Sequence, residues 1–438
     1  MGKSPNSSLI RSQYDLYLAR YAHQTEYLEG ESVKENLGIV VTVPCYNEPN
    51  ILTTLESIYQ CYPTKFSVEI IILINHPEAS APDVLEQNKK SVEEVKHWIK
   101  SHNENHRKFH VIWAGDLPVK HAGVGLARKI VMDEAIRRLL RAGNLEGIVV
   151  GLDADTICDQ NYLSEIETYF QTHPEANGAN IYFEHLIKPD IEDKSNIGIA
   201  SYELHLRYMV HALRYSQFPY AFHTVGSCLA VRGSAYVKQG GMNRRKAGED
   251  FYFLQKILPL GNFGEINTTR IIPSGRESDR VPFGTGKAMM KWSESGEKVF
   301  KSYNPEIYEE LYLLFSGINH LFNSKKPDLK SYYMKFGPCM KRFITSSDWI
   351  DKINRIQTES TSLKTFRYRF FQWMNGLNTL KFIHYARDTK YGNIPVIEAY
   401  HWLVKQIGLK ESSAKNVFEG LLELRNYDKE NPWYFKSE

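Results

Sequence analysis

The most informative stretch of the sequence is Gly147-Ile-Val-Val-Gly-Leu-Asp-Ala-Asp155. In it, an apolar, β-branched run ends in two carboxylates. Such a run is typical of a buried strand that closes in a turn. Two carboxylates one residue apart can hold one divalent cation, since Mg²⁺ and Mn²⁺ prefer oxygen ligands. The alternative is a polar strand exit at which Asp155 caps the next helix. The spacing alone leaves both interpretations open.

The chain before this stretch alternates between predicted strands and predicted helices. Apolar segments predict strands over 38–44, 68–74 and 109–113, and helical spacing predicts helices over 51–61, 83–102 and 123–142. That alternation indicates an α/β fold, a Rossmann-like, mostly parallel sheet flanked by helices. Ligands of such sheets bind at the carboxyl ends of the strands. Polar residues follow three of those ends: Tyr46, Asn47 and Glu48; Asn75 and His76; Asp153 and Asp155.

The remaining patterns divide the chain into three predicted parts. Residues 1–36 form a helical lead-in, residues 37–290 form the α/β domain, and residues 291–438 form a mainly helical C-terminal domain. Inside the second part, a helix is predicted over 195–216, a strand over 226–232 and a helix over 249–258.

Composition excludes several classes of protein. Hydrophobic residues make up 42% and charged residues 24% of the 438 residues, which is ordinary for a globular protein and excludes disorder and collagen. The net charge of +3 is too balanced for nucleic-acid binding over the whole surface. Five widely spaced cysteines without C-x-x-C argue against a disulfide framework and favour a reducing compartment. No signal peptide and no run near the ~18 apolar residues of a spanning helix are visible, so a cytoplasmic location is expected.

A second acidic pair, Glu249-Asp250, follows Gly248 at the start of a predicted helix. The helix dipole favours carboxylates there, so helix capping is the simplest explanation. A carboxylate that faces a bound hydroxyl is also a suitable general base. After the first strand, Pro44-Cys-Tyr-Asn-Glu48 lacks the glycines of a dinucleotide fingerprint or a P-loop, so that type of phosphate cradle is not expected.

Taken in order, these segments resemble the inverting family 2 glycosyltransferases, whose fold is GT-A. The matching segments are Val43-Pro-Cys-Tyr-Asn-Glu48, Gly123-Val-Gly-Leu-Ala-Arg128, Leu152-Asp-Ala-Asp155, Gly226-Ser-Cys-Leu-Ala-Val-Arg232, and Gly240-Gly-Met-Asn243 followed by Glu249-Asp250. The resemblance covers roughly residues 37–260. Each motif is weak alone, whereas the whole set, in the same order and on the expected elements, is specific.

The resemblance implies where a nucleotide-sugar donor binds. The nucleotide base and ribose would be lined by three residues at the end of the first strand: Pro44, Tyr46 and Glu48. Arg128 would approach the donor and steady the acidic turn. In that turn Asp153, beside Ala154, would contact the ribose or the water shell of the metal. Asp155 would bind Mn²⁺ or Mg²⁺ and bridge it to the diphosphate.

The resemblance also implies an acceptor side. Gly226 and Ser227 would shape the sugar and acceptor pocket. Asp250 would deprotonate the acceptor hydroxyl, with Glu249 as its neighbour. His223, just before this pocket, can reach the sugar, although a structural histidine is the favoured interpretation.

The sequence departs from the family pattern at three places. Asn75 stands where an aspartate commonly contacts the base, so the base is only partly constrained, although an amide can also bond a uracil edge. Lys129 stands where the A-R-N motif has its asparagine. The Q-x-x-R-W motif and the membrane helices of the processive polysaccharide synthases are absent, so a processive synthase is not expected.

A loop past the second acidic pair is rich in arginine and glycine. It runs Gly275-Arg-Glu-Ser-Asp-Arg280 and continues to Lys287. One hypothesis is that it closes over the diphosphate and that Arg276 or Arg280 stabilises the leaving group. The alternative is an ordinary solvated loop.

The C-terminal part, residues 291–438, resembles no family. Its segment 364–390 mixes basic and aromatic residues. An ordinary helical domain with aromatic side chains in its core is the favoured interpretation. One alternative is a peripheral surface that meets anionic lipid at the inner face of a membrane. Another is a nucleic-acid surface, which is not expected because stacking aromatics need exposure.

The sequence therefore predicts an enzyme, a metal-dependent, inverting glycosyltransferase of the hexosyltransferase type. It would move one sugar from a nucleotide-diphosphate donor, expected to be a UDP-sugar, to a hydroxyl of a glycan or lipid-linked acceptor. A non-catalytic binding or scaffold protein on the same fold is the first alternative. A sugar nucleotidyltransferase is a weaker one, because no Gly-rich loop with Arg and Lys follows the first strand.

Overall fold

The computed structural model describes residues 5–188, 192–280, 284–409 and 414–436. The chain divides into two compact units. The first contains Met1–Leu186, Thr224–Lys287 and Asp428–Ser437, and the second contains Ile187–His223, Ala288–Tyr427 and Glu438. The segment 187–223, which the sequence places in the α/β domain, is thus grouped with the C-terminal residues.

Helices and strands alternate through the first half of the chain, and helices dominate the second half. In chain order, the first elements are α1 (Pro5–Arg20), β1 (Leu37–Cys45), α2 (Ile51–Tyr59), β2 (Ser67–Pro77), α3 (Pro82–His102), β3 (Arg107–Leu117), α4 (Val124–Arg141), β4 (Ile148–Gly151), β5 (Thr156–Cys158), α5 (Tyr162–Thr172), β6 (Gly178–Phe183), α6 (Lys194–Tyr215), β7 (Leu229–Arg232), α7 (Gly233–Lys238), α8 (Glu249–Ile257) and β8 (Phe263–Pro273). They continue with α9 (Thr285–Glu294), β9 (Lys301–Tyr303), α10 (Pro305–Phe315), α11 (Lys326–Met334), α12 (Pro338–Phe343), α13 (Ser346–Thr358), α14 (Leu363–Trp373), α15 (Gly376–Ala386), β10 (Asn393–Pro395), α16 (Val396–Gln406), α17 (Val417–Glu430) and β11 (Tyr434–Phe435). Short 3₁₀ turns occur at Gly226–Cys228, Leu258–Leu260 and Ile318–Leu321, and a π-helical turn at Arg387–Tyr391.

The first unit is built on a nine-stranded sheet in the order β11-β8-β6-β7-β4-β1-β2-β3, with β5 paired to β8. Parallel pairing joins β1 to both β2 and β4, β2 to β3, and β6 to β8. β7 is antiparallel to both β4 and β6, so β6 and β8 run in the same direction as β1 to β4. Only β5, β7 and β11 oppose them among the described strands of this sheet. This mixed, mostly parallel sheet flanked by helices, with a helical C-terminal portion, confirms the predicted fold class.

The apolar runs of β1 and β2 are continuous rather than alternating because these strands are buried on both faces. Every residue of β1 except Pro44 is buried, and so is every residue of β2 except Pro77. Strands covered on both faces need apolar side chains on both sides. α3 packs against β2 and β3, and α4 packs against β1, β2 and β4. The parallel strands therefore end at one edge of the sheet, where the polar residues that follow them gather.

The segment before β1 holds α4 in place through buried polar contacts. The carboxylate of Asp133, in α4, accepts hydrogen bonds from Tyr17 Oη (2.5 Å) and from the backbone N–H of His23 (2.7 Å). Lys129 Nζ lies 2.9 Å from the same carboxylate. The lysine that stands where the family pattern has an asparagine is therefore paired with Asp133. Because α4 begins just before Arg128, these contacts help to position a predicted site residue.

The second unit is mainly helical. α6 packs against α10 and α16, and β9 pairs with β10 in a small antiparallel sheet that was not predicted from the sequence. In the segment 364–390 the phenylalanines are core residues: Phe366, Phe370, Phe371 and Phe382. The lysines of the same segment are exposed: Lys364, Lys381 and Lys390. This arrangement matches the favoured interpretation of the segment, and membrane contact through it stays a prediction.

Within the residues that the structure describes, no helix has both the length and the apolar character needed to span a bilayer.

Candidate active site

The acidic turn lies where β4 ends, and two hydrogen bonds fix its backbone. Thr156 N–H donates to the carbonyl oxygen of Asp153 (3.1 Å). The Thr54 hydroxyl, in α2, donates to the carbonyl oxygen of Ala154 (2.8 Å), whose own side chain is buried. The side chains of Asp153 and Asp155 remain 34% and 24% exposed. The turn is therefore rigid in its backbone and open at its two carboxylates.

Arg128, at the start of α4, connects the two acidic motifs. Its buried guanidinium donates through Nε to Glu249 (2.9 Å), through Nη1 to the carbonyl oxygen of Gly226 (3.3 Å) and through Nη2 to Asp153. Burial alone would lower the pKa of Arg128, but the acidic side chains around it raise that pKa: Asp153, Glu249 and Asp250. A Cβ at Gly226 would collide with this guanidinium, so the glycine of that motif is needed for the contact.

Asp250 lies in the first turn of α8, next to Glu249, and is partly exposed. Its Oδ1 accepts a hydrogen bond from the backbone N–H of Phe251 (2.7 Å). Burial and the negative charge of Glu249 raise the pKa of Asp250 to about 7, although Arg128 acts in the opposite direction. A carboxyl group that titrates near neutral pH can take a proton from a hydroxyl and release it again, as a general base must.

Glu48, directly after β1, is fully buried and bound to two arginines of the loop after β8. Arg276 donates to both of its carboxylate oxygens, with Nη1 at 3.1 Å from Oε1, and Arg280 Nη1 donates to Oε2 at 3.2 Å. Arg280 Nη1 also donates to the carbonyl oxygen of Tyr46 (3.1 Å). In this structure the Glu48 carboxylate therefore orients two guanidinium groups, and its implied contact with a nucleotide stays a prediction.

The same two arginines reach the acidic turn. Asp155 Oδ2 accepts hydrogen bonds from Arg280 Nη2 (3.1 Å) and Arg276 Nη2 (3.4 Å). Burial and the charge of Asp153 raise the pKa of Asp155, and the charge of Arg280 opposes them. The first part of the predicted loop, 275–280, thus lies beside the turn, while 281–283 lie outside the described residues. Two partly exposed cations stand at the open side of the acidic turn.

Asn75, at the end of β2, presents an unused hydrogen-bond acceptor. It is 4% exposed, and its Oδ1 has no partner among the residues that the structure describes. Its backbone carbonyl accepts from Asn88 Nδ2 (3.1 Å), and Asn88 Oδ1 accepts from the backbone N–H of Asn47 (2.9 Å). An unsatisfied buried acceptor costs about 1–3 kcal/mol. The Oδ1 atom is itself closed to solvent, so a ligand N–H group would remove that cost once the neighbouring side chains move to admit it.

Two residues near Asn75 were not identified from the sequence. Trp113 is 39% exposed although it belongs to β3, and its ring centroid lies 4.9 Å from that of His76. Asn88 is fully buried in α3 and ties the ends of β1 and β2 together. A tryptophan at the end of a predicted strand and an asparagine on the apolar face of a helix are the signals that could have revealed them.

The remaining predicted residues fall in different places. Pro44 and Tyr46 are partly exposed at the end of β1. Ser227 is buried in a 3₁₀ turn, and its hydroxyl has no partner within the described ranges. His223 ends the segment that belongs to the second unit.

The carboxylates of the turn fit only one kind of metal site. The described residues contain no group of three or more His, Cys, Asp or Glu side chains placed to hold a metal ion. Mg²⁺ and Mn²⁺ can instead be held by one or two carboxylates together with substrate phosphates and water. Asp155, with Asp153 beside it and both partly exposed, fits that arrangement.

Comparison with known proteins shows similarity to solved structures at low sequence identity. No family model matches this sequence, and no curated protein matches it. Among solved structures, the chain is similar to S. aureus TarS 1–349 in complex with UDP-GlcNAc, with 13% identity and a TM-score of 0.38, covering 77% of this chain and 92% of that chain. Similar values hold for TarS 1–349 alone (13%, TM-score 0.36, 86% and 93% covered) and with UDP (12%, TM-score 0.34, 81% and 93% covered). Function is therefore inferred from the site.

Proposed function

We propose that the protein is a glycosyltransferase that moves one sugar from a UDP-sugar to the hydroxyl group of an acceptor, with inversion at the anomeric carbon. The observation that carries this proposal is the position of Arg128. It joins the acidic turn to the acidic pair, beside a carboxyl group, Asp250, whose pKa is raised to about 7. The site thus combines cations for a leaving group with a base for a nucleophile.

The cations of the site suit a diphosphate leaving group. A nucleoside diphosphate leaves a sugar poorly until its negative charge is neutralised. Arg276 and Arg280 are partly exposed beside Asp155, so their guanidinium groups can donate to phosphate oxygens. Mg²⁺ or Mn²⁺ held at Asp155 would supply a Lewis acid that polarises the diphosphate. Preorganised positive charge is most effective where negative charge develops in the transition state.

Asp250 supplies the base. An acceptor hydroxyl must lose its proton as it attacks the anomeric carbon. Glu249 is fixed by Arg128, and its negative charge raises the pKa of Asp250. A single displacement, with the nucleophile and the leaving group on opposite sides of the carbon, inverts its configuration. No covalent sugar–protein intermediate is needed.

Asn75 favours a base that carries an N–H group on its edge. Uracil presents an N–H donor between two carbonyl oxygens, whereas cytosine presents a bare ring nitrogen at the same place. The Asn75 Oδ1, which has no partner in the described part of the chain, would accept from that N–H. Cytosine carries an N–H only on its exocyclic amino group, so this position is compatible with UDP and the nucleotide panel distinguishes UDP from CDP. Thymine and guanine also carry a ring N–H group, so the same nucleotide panel distinguishes dTDP and GDP from UDP.

The test is a thermal-shift panel of UDP, GDP, CDP and dTDP, each with and without Mn²⁺. A ligand that binds only the folded protein stabilises it, by about 2.7 kcal/mol at a hundred times its Kd. We expect UDP with Mn²⁺ to raise the Tm of the wild type but not that of Asp155→Ala. Asp351→Ala, at an exposed aspartate of α13, is the matched control and should respond like the wild type. No response to any nucleotide would refute the proposal and favour the scaffold alternative.

A further inference from the structure

Cys61 and Cys158 form a pair of thiols close to the acidic turn. Both are free and buried, and their sulfur atoms lie 3.7 Å apart. Cys61 follows α2 and Cys158 ends β5, so the two residues are 97 positions apart in the sequence and meet only in the fold. The proposed transfer reaction uses neither thiol.

The contacts of Cys61 act on its thiol in opposite directions. The hydrogen bond from the Cys158 thiol lowers the pKa of Cys61, and so do the backbone N–H groups of Leu163 and Tyr162 and the charge of Arg107, while burial opposes them. Arg107 is close because its Nη2 donates to the Cys61 carbonyl oxygen (2.7 Å). The pKa of Cys158 is raised instead, by its hydrogen bond to Cys61 and by burial. Cys61 Sγ also lies 3.5 Å from the carbonyl oxygen of Ser57 and 3.7 Å from that of Asp159, and both contacts favour the thiol. The thiolate is the reactive form, and the geometry allows either sulfur of the pair to react first.

A surface cavity of about 550 Å³ reaches Cys158 of this pair. Its wall is made by residues of α2, by Trp98, and by residues at the end of β5 that include Cys158. Ser57, another wall residue, lies with its Oγ 3.6 Å from Cys158 Sγ and accepts the backbone N–H of Cys158 (3.2 Å). A molecule as small as hydrogen peroxide can therefore approach the pair from the side of Cys158 while the protein stays folded.

We propose that Cys61 and Cys158 are a peroxide-reactive site that closes into a disulfide. The thiolate of one cysteine attacks one oxygen of hydrogen peroxide, the O–O bond breaks, hydroxide leaves, and that cysteine becomes a sulfenic acid. The sulfur of the other cysteine then attacks the sulfenic sulfur, the S–O bond breaks as the S–S bond forms, and water leaves. In total the two thiols lose two electrons and two protons, and the peroxide is reduced to two water molecules.

The new bond would act on the acidic turn. A disulfide holds its sulfur atoms about 2.05 Å apart, so closure from 3.7 Å brings the two sulfur atoms about 1.6 Å closer. Rotation of the two side chains and movement of the ends of α2 and β5 share this change. α2 holds the turn through the Thr54 hydroxyl on Ala154, and Cys158 is three residues after Asp155. A displacement of about 1 Å in a functional group can cost about 10²-fold in rate. Oxidation should therefore weaken nucleotide binding, a consequence that rests on the proposed function.

The first measurement locates the bond. The full-length protein is treated with a small excess of hydrogen peroxide, free thiols are blocked with N-ethylmaleimide, and the unreduced digest is analysed by mass spectrometry. We expect a cross-linked peptide that joins Cys61 to Cys158, lost after dithiothreitol and absent in Cys61→Ser and Cys158→Ser. Cys339→Ser, at a buried thiol of the second unit, is the matched control and should form the bond like the wild type. No such peptide from the folded wild type would overturn the proposal.

The second measurement separates this site from the proposed function. Hydrogen exchange of residues 152–158 needs no ligand, and oxidation should change it in the wild type but not in Cys61→Ser. Titration with UDP and Mn²⁺ should show at least about tenfold weaker binding by the oxidised protein, restored by dithiothreitol. If the reduced protein binds no nucleotide, the proposed function fails, while peptide mapping and exchange still decide the thiol site. A bond that forms but leaves the exchange unchanged would refute the coupling to the acidic turn.

Discussion

Replacing Arg128 by methionine tests how the site is held together. The buried guanidinium donates three hydrogen bonds, two of them to the carboxylates of Glu249 and Asp153. Removing one partner of a buried ion pair costs about 3–5 kcal/mol, since the other charge stays buried without compensation. Water can replace part of the lost contact at Asp153, which is 34% exposed. We therefore expect the free energy of unfolding to fall by about 3–4 kcal/mol, near the lower end of that range.

Urea denaturation measures this loss, with the slope of the transition as the check for two-state behaviour. Arg141→Met, in the same helix but paired with Glu26 at the surface, is the matched control and should cost no more than about 1 kcal/mol. Arg128→Lys keeps the charge without the planar fork and should lie between the two. The double variant R128M/E249Q should regain part of the loss, because it removes one uncompensated buried carboxylate. A cost of about 1 kcal/mol or less for Arg128→Met would refute the view that Arg128 connects the two acidic motifs.

Three other perturbations address the proposed chemistry. Because the pKa of Asp250 is raised from 3.8 to about 7, its contribution to stability should fall as the pH rises from about 4 to about 7. Transfer should accelerate over the upper part of that range, because the carboxylate form is the base. Urea titrations at several pH values should show that Asp250→Asn removes this fall, and a pH-independent wild type would contradict the shift. Alanine at both Arg276 and Arg280 should slow turnover about 10²-fold. Alanine at the exposed Lys298 is the control and should leave turnover unchanged. Unchanged turnover in the double variant would exclude the loop from catalysis. Asn75→Leu should weaken UDP binding in a calorimetric titration without lowering the Tm, because it removes an acceptor with no partner in the described residues, and unchanged affinity would place the base elsewhere.

The first, second and fourth strands could be predicted because each is a continuous buried apolar run. β3 could be predicted because three of its apolar residues lie close together in the sequence: Phe109, Val111 and Ile112. β8 could not, since Glu265, Asn267 and Thr268 interrupt its apolar residues. It is held instead by pairing with β6, which places Gly178 opposite Phe263. That pairing joins distant parts of the chain, and strand preference depends on such neighbours more than on the local sequence. The antiparallel insertion of β7 between β4 and β6 depends on distant pairing in the same way.

One part of the candidate site could be predicted from the sequence, and another part could not. The acidic motifs of the site were predictable because each is a short local pattern, two carboxylates directly after an apolar strand or at the start of a helix. The contacts that join the motifs were not predictable. Glu48 binds Arg276 from 228 positions away, and Cys61 meets Cys158 only because α2 packs against β5. Sequence patterns report which elements a residue belongs to, whereas such contacts arise only when the elements are assembled.

The release of nucleoside diphosphate from sugar nucleotides, measured with and without hydroxyl-bearing acceptors, tests whether the site transfers a sugar with Asp250 as its base. Wild-type protein with Mn²⁺ should release UDP from a UDP-sugar, and a suitable acceptor should accelerate the release. Asp250→Asn should still bind the donor but should release UDP at least about 10²-fold more slowly. Equal rates for the two proteins, or no release from any sugar nucleotide, would contradict a glycosyltransferase site that uses Asp250 as its base.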